Sequence, residues 1–150
     1  MPETIITQSE ADALLRMPKH SKDDRSWNYP GQGARISIPL ESEDKREQFQ
    51  LDITRGRIDL AKCMHQHRAR QVVILARLEI HGPPHHNPDG NELACPHLHL
   101  YREGFGDKWA FAVPPEHFTH LEDFRQTFVD FVNFCNIVLL TSPQFPMDVF

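Results

Sequence analysis

Side chains fit for proton transfer, charge stabilisation or metal binding fall into phase on two short alternating stretches. In His97-Leu98-His99-Leu100-Tyr101 the leucines point one way, so His97, His99 and Tyr101 share the opposite face of an extended chain. In the run from Val72 to His81, Val72, Ile74, Ala76, Leu78 and Ile80 take one face, and Arg77, Glu79 and His81 lie on the other. Pairing the two stretches as a hairpin through the proline-rich loop Gly82 to Gly90 sets both polar groups side by side. A sheet face made for solubility carries Lys, Glu, Thr and Ser; this one carries imidazoles, a carboxylate, a guanidinium and a phenol. That set suits acid-base chemistry on a phosphodiester. His97 and His99 would serve as acid and base, Glu79 as base or orienting group, Arg77 as phosphate stabiliser and Tyr101 as positioning donor, without a cofactor.

The same histidines allow a second reading. Cys95, His97 and His99 stand two residues apart, so an extended backbone projects all three to one side, and His85 or His86 from the loop would complete a tetrahedral zinc shell. A third reading needs no turnover. The polar face and the proline-rich loop would then form the interface of a non-catalytic module for a protein or nucleic-acid partner.

Charge along the chain bears on the partner. The 150 residues hold 16 Lys+Arg against 21 Asp+Glu, a formal net charge of -5, which excludes wrapping of nucleic acid by bulk charge. Between Ile53 and Gln71, however, Arg55, Arg57, Lys62, Arg68 and Arg70 face Asp59 alone, a local excess of four positive charges. That segment can focus a positive potential on phosphates flanking a reacting one, and it makes RNA the expected substrate. His65 and His67 lie inside the segment and read as part of the basic patch. No P-loop, GxSxG or HExxH pattern is present, which removes several large enzyme classes.

These side chains must be positioned by one small domain. At this length roughly 68–70% of the unfolded surface is buried, enough for a single core. No apolar run reaches the ~20 residues of a bilayer span, and the start at Met1 has neither a basic nor an apolar leader region, so a cytoplasmic protein is expected. Cys63, Cys95 and Cys135 form no disulfide pattern. Thr7-Gln8-Ser9-Glu10 is a capping box that opens a short helix with Ala11, Leu14 and Leu15 as its apolar stripe, ended by Pro18. Residues 19–33 read as a loop. Period-two alternation marks strands at Ala34 to Leu40, Phe49 to Thr54, Ile58 to Met64, Val72 to His81, 97–103 and 108–113, the last with Trp109, Phe111 and Val113 facing the core. Thr119-His120-Leu121-Glu122 resembles a second capping box, opening a helix over 119–137 whose Leu121, Phe124, Phe128, Phe131, Val132 and Cys135 face the core. The expected fold is a single α+β domain over residues 1–150: N-terminal helix and loop over 1–33, a mainly antiparallel sheet of five or six strands over 34–113, and the C-terminal helix packed on one face.

One resemblance joins these stretches. Leu51-Asp52-Ile53-Thr54-Arg55-Gly56-Arg57-Ile58, Arg77-Leu78-Glu79-Ile80, the loop Gly82 to Gly90, His97 to Gly104 and Asp107-Lys108-Trp109-Ala110 are similar to a family of small uncharacterised bacterial proteins. The likeness covers about residues 5 to 140 and does not include Cys95. It implies a bacterial cytosolic origin and brings no activity or cofactor. The layout also resembles ribonuclease toxins of the barnase and RelE type, an analogy of architecture without a shared motif.

Overall fold

Thr7 opens the first helix as expected. Its side chain accepts the Glu10 N–H at 3.1 Å, and α1 runs from Gln8–Arg16 with Ala11 and Leu14 buried. The computed structural model describes residues 5–146. The start at Met1, read as lacking a leader, and the tail end at Phe150 lie outside them.

Ten strands follow or flank this helix. They are β1 (Lys19–Ser21), β2 (Arg35–Ser42), β3 (Gln48–Arg55), β4 (Cys63–Ala69), β5 (Val73–Ile80), β6 (His85–His86), β7 (Glu92–Leu93), β8 (His97–Leu100), β9 (Ala110–Ala112) and β10 (Ile137–Val138). Eight of them form one sheet in the order β10-β1-β2-β3-β4-β5-β8-β9, and β6 and β7 make a separate hairpin. All neighbours in the large sheet are antiparallel except β1 and β10, which pair in parallel. The α+β class holds. The strand count rises from the expected five or six because β1 lies in the region read as a loop and β10 in the end of the expected helix.

The core face of the sheet carries Ile38 and Leu40 from β2, Phe49, Leu51 and Ile53 from β3, Leu78 from β5 and Leu98 from β8, all nearly inaccessible. The second helix, α2 (Phe124–Phe134), buries Phe124, Phe128 and Phe131 in the same core. Truncating a buried Phe of this kind costs ~3–5 kcal/mol. Its cap is Asp123, which accepts the Gln126 N–H at 3.1 Å, and not Thr119. Asp123 and Gln126 make the same cap-and-N3 pattern four residues later, and Asn136 with φ 58° stops the helix short of 137.

Two other expectations shift. The third strand begins at Cys63, since residues 56–62 form a tight loop in which a Cβ on Gly56 would stand 2.6 Å from the Asp59 carbonyl. In β5 a bulge breaks the alternation: His67 faces Ala76 while the next residue, Arg68, faces Ile74, so Leu75 is the extra residue. Val73, Leu75 and Ala76 are therefore buried and Val72 is exposed. At the sheet edge Ala110 is the buried residue of β9, and Phe111 remains 41% exposed.

Candidate functional site

Two cross-strand rows cross the face opposite the hydrophobic core. Register aligns Ser37, Asp52, Gln66, Arg77 and His99 in one row, and Thr54, Met64, Glu79 and His97 in the next. The expected neighbours Arg77, Glu79, His97 and His99 are thus brought together by β5–β8 pairing. This end of the face is covered. The β6–β7 hairpin folds over it, held by Asn87, whose amide donates to the Ala110 carbonyl at 3.0 Å and whose carbonyl accepts the Ala110 N–H at 2.8 Å. Beneath the hairpin His97 and His99 are each 1% exposed.

Each buried imidazole is fixed by its Nδ1. That of His99 donates to the Asp107 carbonyl at 2.8 Å; that of His97 lies 3.4 Å from the Ala94 carbonyl and 3.5 Å from the Cys95 sulfur. A carbonyl only accepts, so Nδ1 carries the hydrogen and Nε2 presents a lone pair. Both Nε2 atoms are buried without a hydrogen-bond partner. They aim at the Glu79 carboxylate, 3.7 Å from Oε1 for His97 and 3.5 Å from Oε2 for His99. The three ligand atoms of Glu79, His97 and His99 lie within 4.8 Å of one another. Arg77 holds Glu79 from the other side, Nε to Oε2 at 2.8 Å, and reaches the Asp107 carboxylate with its other arm. Burial first, and the Arg77 charge second, push the His99 pKa down to about 4, so this ring is neutral at pH 7.

The other candidates distribute as follows. His85 packs its ring against both histidines, at 4.6 Å from His99 and 5.7 Å from His97, but its Nε2 donates to the Lys108 carbonyl at 2.7 Å. His86 turns outward to Glu92 at 3.0 Å. Cys95 meets His97 on the Nδ1 side, away from the converging nitrogens, so Glu79 and not a thiolate stands third. Tyr101 leaves the polar face because β8 ends at Leu100. Its hydroxyl accepts the Ile6 N–H at 2.9 Å and donates to the Ile6 carbonyl at 2.8 Å, in the core. His81, with φ 67° at the end of β5, pairs with Asp59 at 2.5 Å.

The basic segment is mostly committed elsewhere. Arg55 is buried, donates to the Pro30 carbonyl at 3.1 Å and lies over the Phe124 ring. Arg68 grips Asp52 with Nε at 2.6 Å and a terminal nitrogen at 3.0 Å, which holds that carboxylate below its ordinary range although burial opposes it. Arg70 bridges Glu47 and Glu10 at 2.8 and 2.9 Å. Arg57 and Lys62 stay exposed on the 56–62 loop. His65 and His67 are not in a basic patch at all: register puts them on the core face, beside Phe128 and Phe131 for His65 and stacked on Phe49 for His67. Burial drives both pKa values down to about 3.

Sequence reading missed the carbonyls of Ala94 and Asp107 that orient the rings, since any residue type supplies a carbonyl. It also missed Asn87, whose only signal was its place in the loop.

A family model described as a family of unknown function (DUF6978) matches residues 6–137, and the chain belongs to that family. No curated protein and no solved structure matches the chain. Among the described residues no helix is long and apolar enough to cross a membrane.

Proposed function

We propose that this member of a family without an assigned activity is a divalent-metal protein, in which Nε2 of His97, Nε2 of His99 and a Glu79 oxygen hold one ion of the zinc class. The observation that carries the reading is the pair of buried, partnerless Nε2 lone pairs facing one carboxylate. An unmade hydrogen bond at a buried nitrogen costs about 1–3 kcal/mol, and two such sites side by side are accounted for by a shared cation. Two imidazoles and a carboxylate are donors that suit zinc, and three protein ligands leave a position for water and a substrate, the pattern of catalytic sites. The Nδ1 hydrogen bonds to Asp107 and Ala94 are the outer contacts that fix ring orientation in such centres, and Arg77 does the same for Glu79.

This reading displaces the metal-independent nuclease. That mechanism needs imidazoles that exchange protons with a substrate on an open face. Here the rings lie under the hairpin with their Nδ1 hydrogens spent on carbonyls. A bound ion would instead lower the pKa of water and polarise an ester oxygen, which makes hydrolysis the supported reaction class. Three free thiols, two of them buried, fit a reducing compartment such as the cytoplasm.

The test is metal titration of chelator-stripped protein with zinc and cobalt, read by elemental analysis and by the cobalt absorption spectrum. One ion per chain is expected, lost in His97→Ala/His99→Ala while its circular dichroism stays native. Equal binding by that variant and the parent protein would overturn the assignment.

A further inference from the structure

Next to Glu79 the polar face opens into a cavity of about 590 Å³. Its floor continues the row Thr54, Met64, Glu79 that leads to His97, and its wall is the 56–62 loop, with Arg57, Ile58 and Lys62. Arg57 and Lys62, on the loop, differ from the strand-borne cations of the region. Arg68, Arg70 and Arg77 are neutralised by carboxylates, whereas neither Arg57 nor Lys62 makes an ion pair among the described residues. The acid beside them, Asp59, is taken by His81 at 2.5 Å. A cavity of this volume is of the size that encloses a small organic molecule. Two cations without an ion pair on its wall, an apolar patch at Ile58 and Met64, and Glu79, the ligand of the proposed metal centre that lines the cavity, define complementary ligand chemistry: one anionic group and a modest apolar remainder.

Resting on that metal centre, we infer that the cavity takes a small phosphate ester, with the phosphoryl group between Lys62, Arg57 and the ion and the organic group on Ile58 and Met64. Phosphate is the anion that uses several cations at once through its separate oxygens. A polynucleotide is disfavoured. Arg55 is buried and Arg68 and Arg70 are paired, which leaves, among the described strand residues of this region, only the exposed Arg35 across from Thr54 for a second phosphate, too little for a track. In the reaction, water adds to phosphorus, the P–O bond to the alcohol breaks, and the proton from water ends on the departing oxygen, giving phosphate and free alcohol without a co-reactant.

The experiment uses the zinc-loaded full chain with p-nitrophenyl phosphate, bis(p-nitrophenyl) phosphate and a labelled RNA oligonucleotide, with inorganic phosphate as competitor. Release of p-nitrophenol, inhibited competitively by phosphate, is expected. In Arg57→Met/Lys62→Met, kcat/KM should drop at least about tenfold with the zinc content unchanged, a loss of contacts to the ester that leaves the centre intact. Zinc bound but no turnover or phosphate inhibition would overturn the substrate class and leave the metal reading standing. RNA cleavage without action on either small ester would overturn it in favour of a polynucleotide substrate. Failure to bind zinc at all would instead overturn the underlying metal centre.

Discussion

The molecule contains His-x-His twice, and the two copies have opposite fates. His65 and His67 on β4 and His97 and His99 on β8 are all 1% exposed or less. The first pair lies among aromatic rings on the core face. There the Nε2 of His65 meets the Tyr29 hydroxyl at 3.1 Å, and the Nδ1 of His67 lies 3.2 Å from the Gln50 carbonyl. The second pair lies on the other face, under a polar hairpin, with both Nε2 atoms on one carboxylate. Spacing two residues apart on a strand secures a shared face and nothing more. What sets the second pair apart is the neighbouring strand, which brings Glu79 across from His97 and Arg77 across from His99.

The comparison breaks first on stability. His65→Ala/His67→Ala should cost ~3–5 kcal/mol in urea unfolding, through cavities beside Phe49, Phe128 and Phe131, with metal stoichiometry retained in the folded fraction. An equally large loss for His97→Ala/His99→Ala would make the two pairs alike. That second variant should instead lower zinc affinity by at least about 100-fold, ~2.7 kcal/mol, and cost metal-free stability less than the core pair does, about 1–2 kcal/mol, since it removes the Nδ1 hydrogen bonds to Asp107 and Ala94 along with two Nε2 atoms that bond nothing in the protein.

Acid sharpens the contrast. His65 and His67 titrate near 6.5 when unfolded and at about 3 when folded, because burial, with Arg55 beside the first and Lys19 beside the second, disfavours their cations. Below pH 6.5 the unfolded chain therefore takes up protons that the folded chain refuses. Stability is complete above 6.5 and falls as pH drops toward 3, by up to ~1.4 kcal/mol per pH unit per histidine. Asp52, held below the ordinary carboxylate range chiefly by its hydrogen bonds from Arg68, adds to the loss in the lower part of the window. Urea midpoints at pH 7, 6, 5 and 4.5 should show the slope, and His65→Gln/His67→Gln should flatten it. The smallest effect concerns Tyr101. Tyr101→Phe should cost ~1 kcal/mol or slightly more in the same urea assay, through the unpaired Ile6 groups, and leave zinc binding untouched.

Much of the frame was legible in the sequence. Thr7 capped its helix, and the phenylalanines of α2 faced the core at the expected spacing. The polar cluster Arg77, Glu79, His97 and His99 followed from alternation and a hairpin assumption. What escaped reading had local physical causes. Leu75 enters a bulge that reverses the pattern without a glycine or proline to mark it. Asp123 out-competes Thr119 because two equally good caps stand four residues apart. Tyr101 is in phase with His97 and His99 by count, yet the strand ends one residue too early to hold it there. Arg55, Arg68 and Arg70 looked like a phosphate track until strand register and folding placed Pro30, Asp52, Glu47 and Glu10 against them.

The parallel pairing of β1 with β10 has a consequence for biosynthesis. Hydrogen bonds from Asn136 to Arg16, Leu140 to Ser21 and Thr141 to Asp24 join residues 117 to 120 positions apart. On the ribosome, β1 emerges early and must keep one edge unpaired until Ile137 and Val138 clear the exit tunnel. The two-residue length of β10 makes that closing step short on contacts and long on loop entropy. Among the strands of the large sheet, this outer seam is therefore expected to zip last during synthesis and to open first under load.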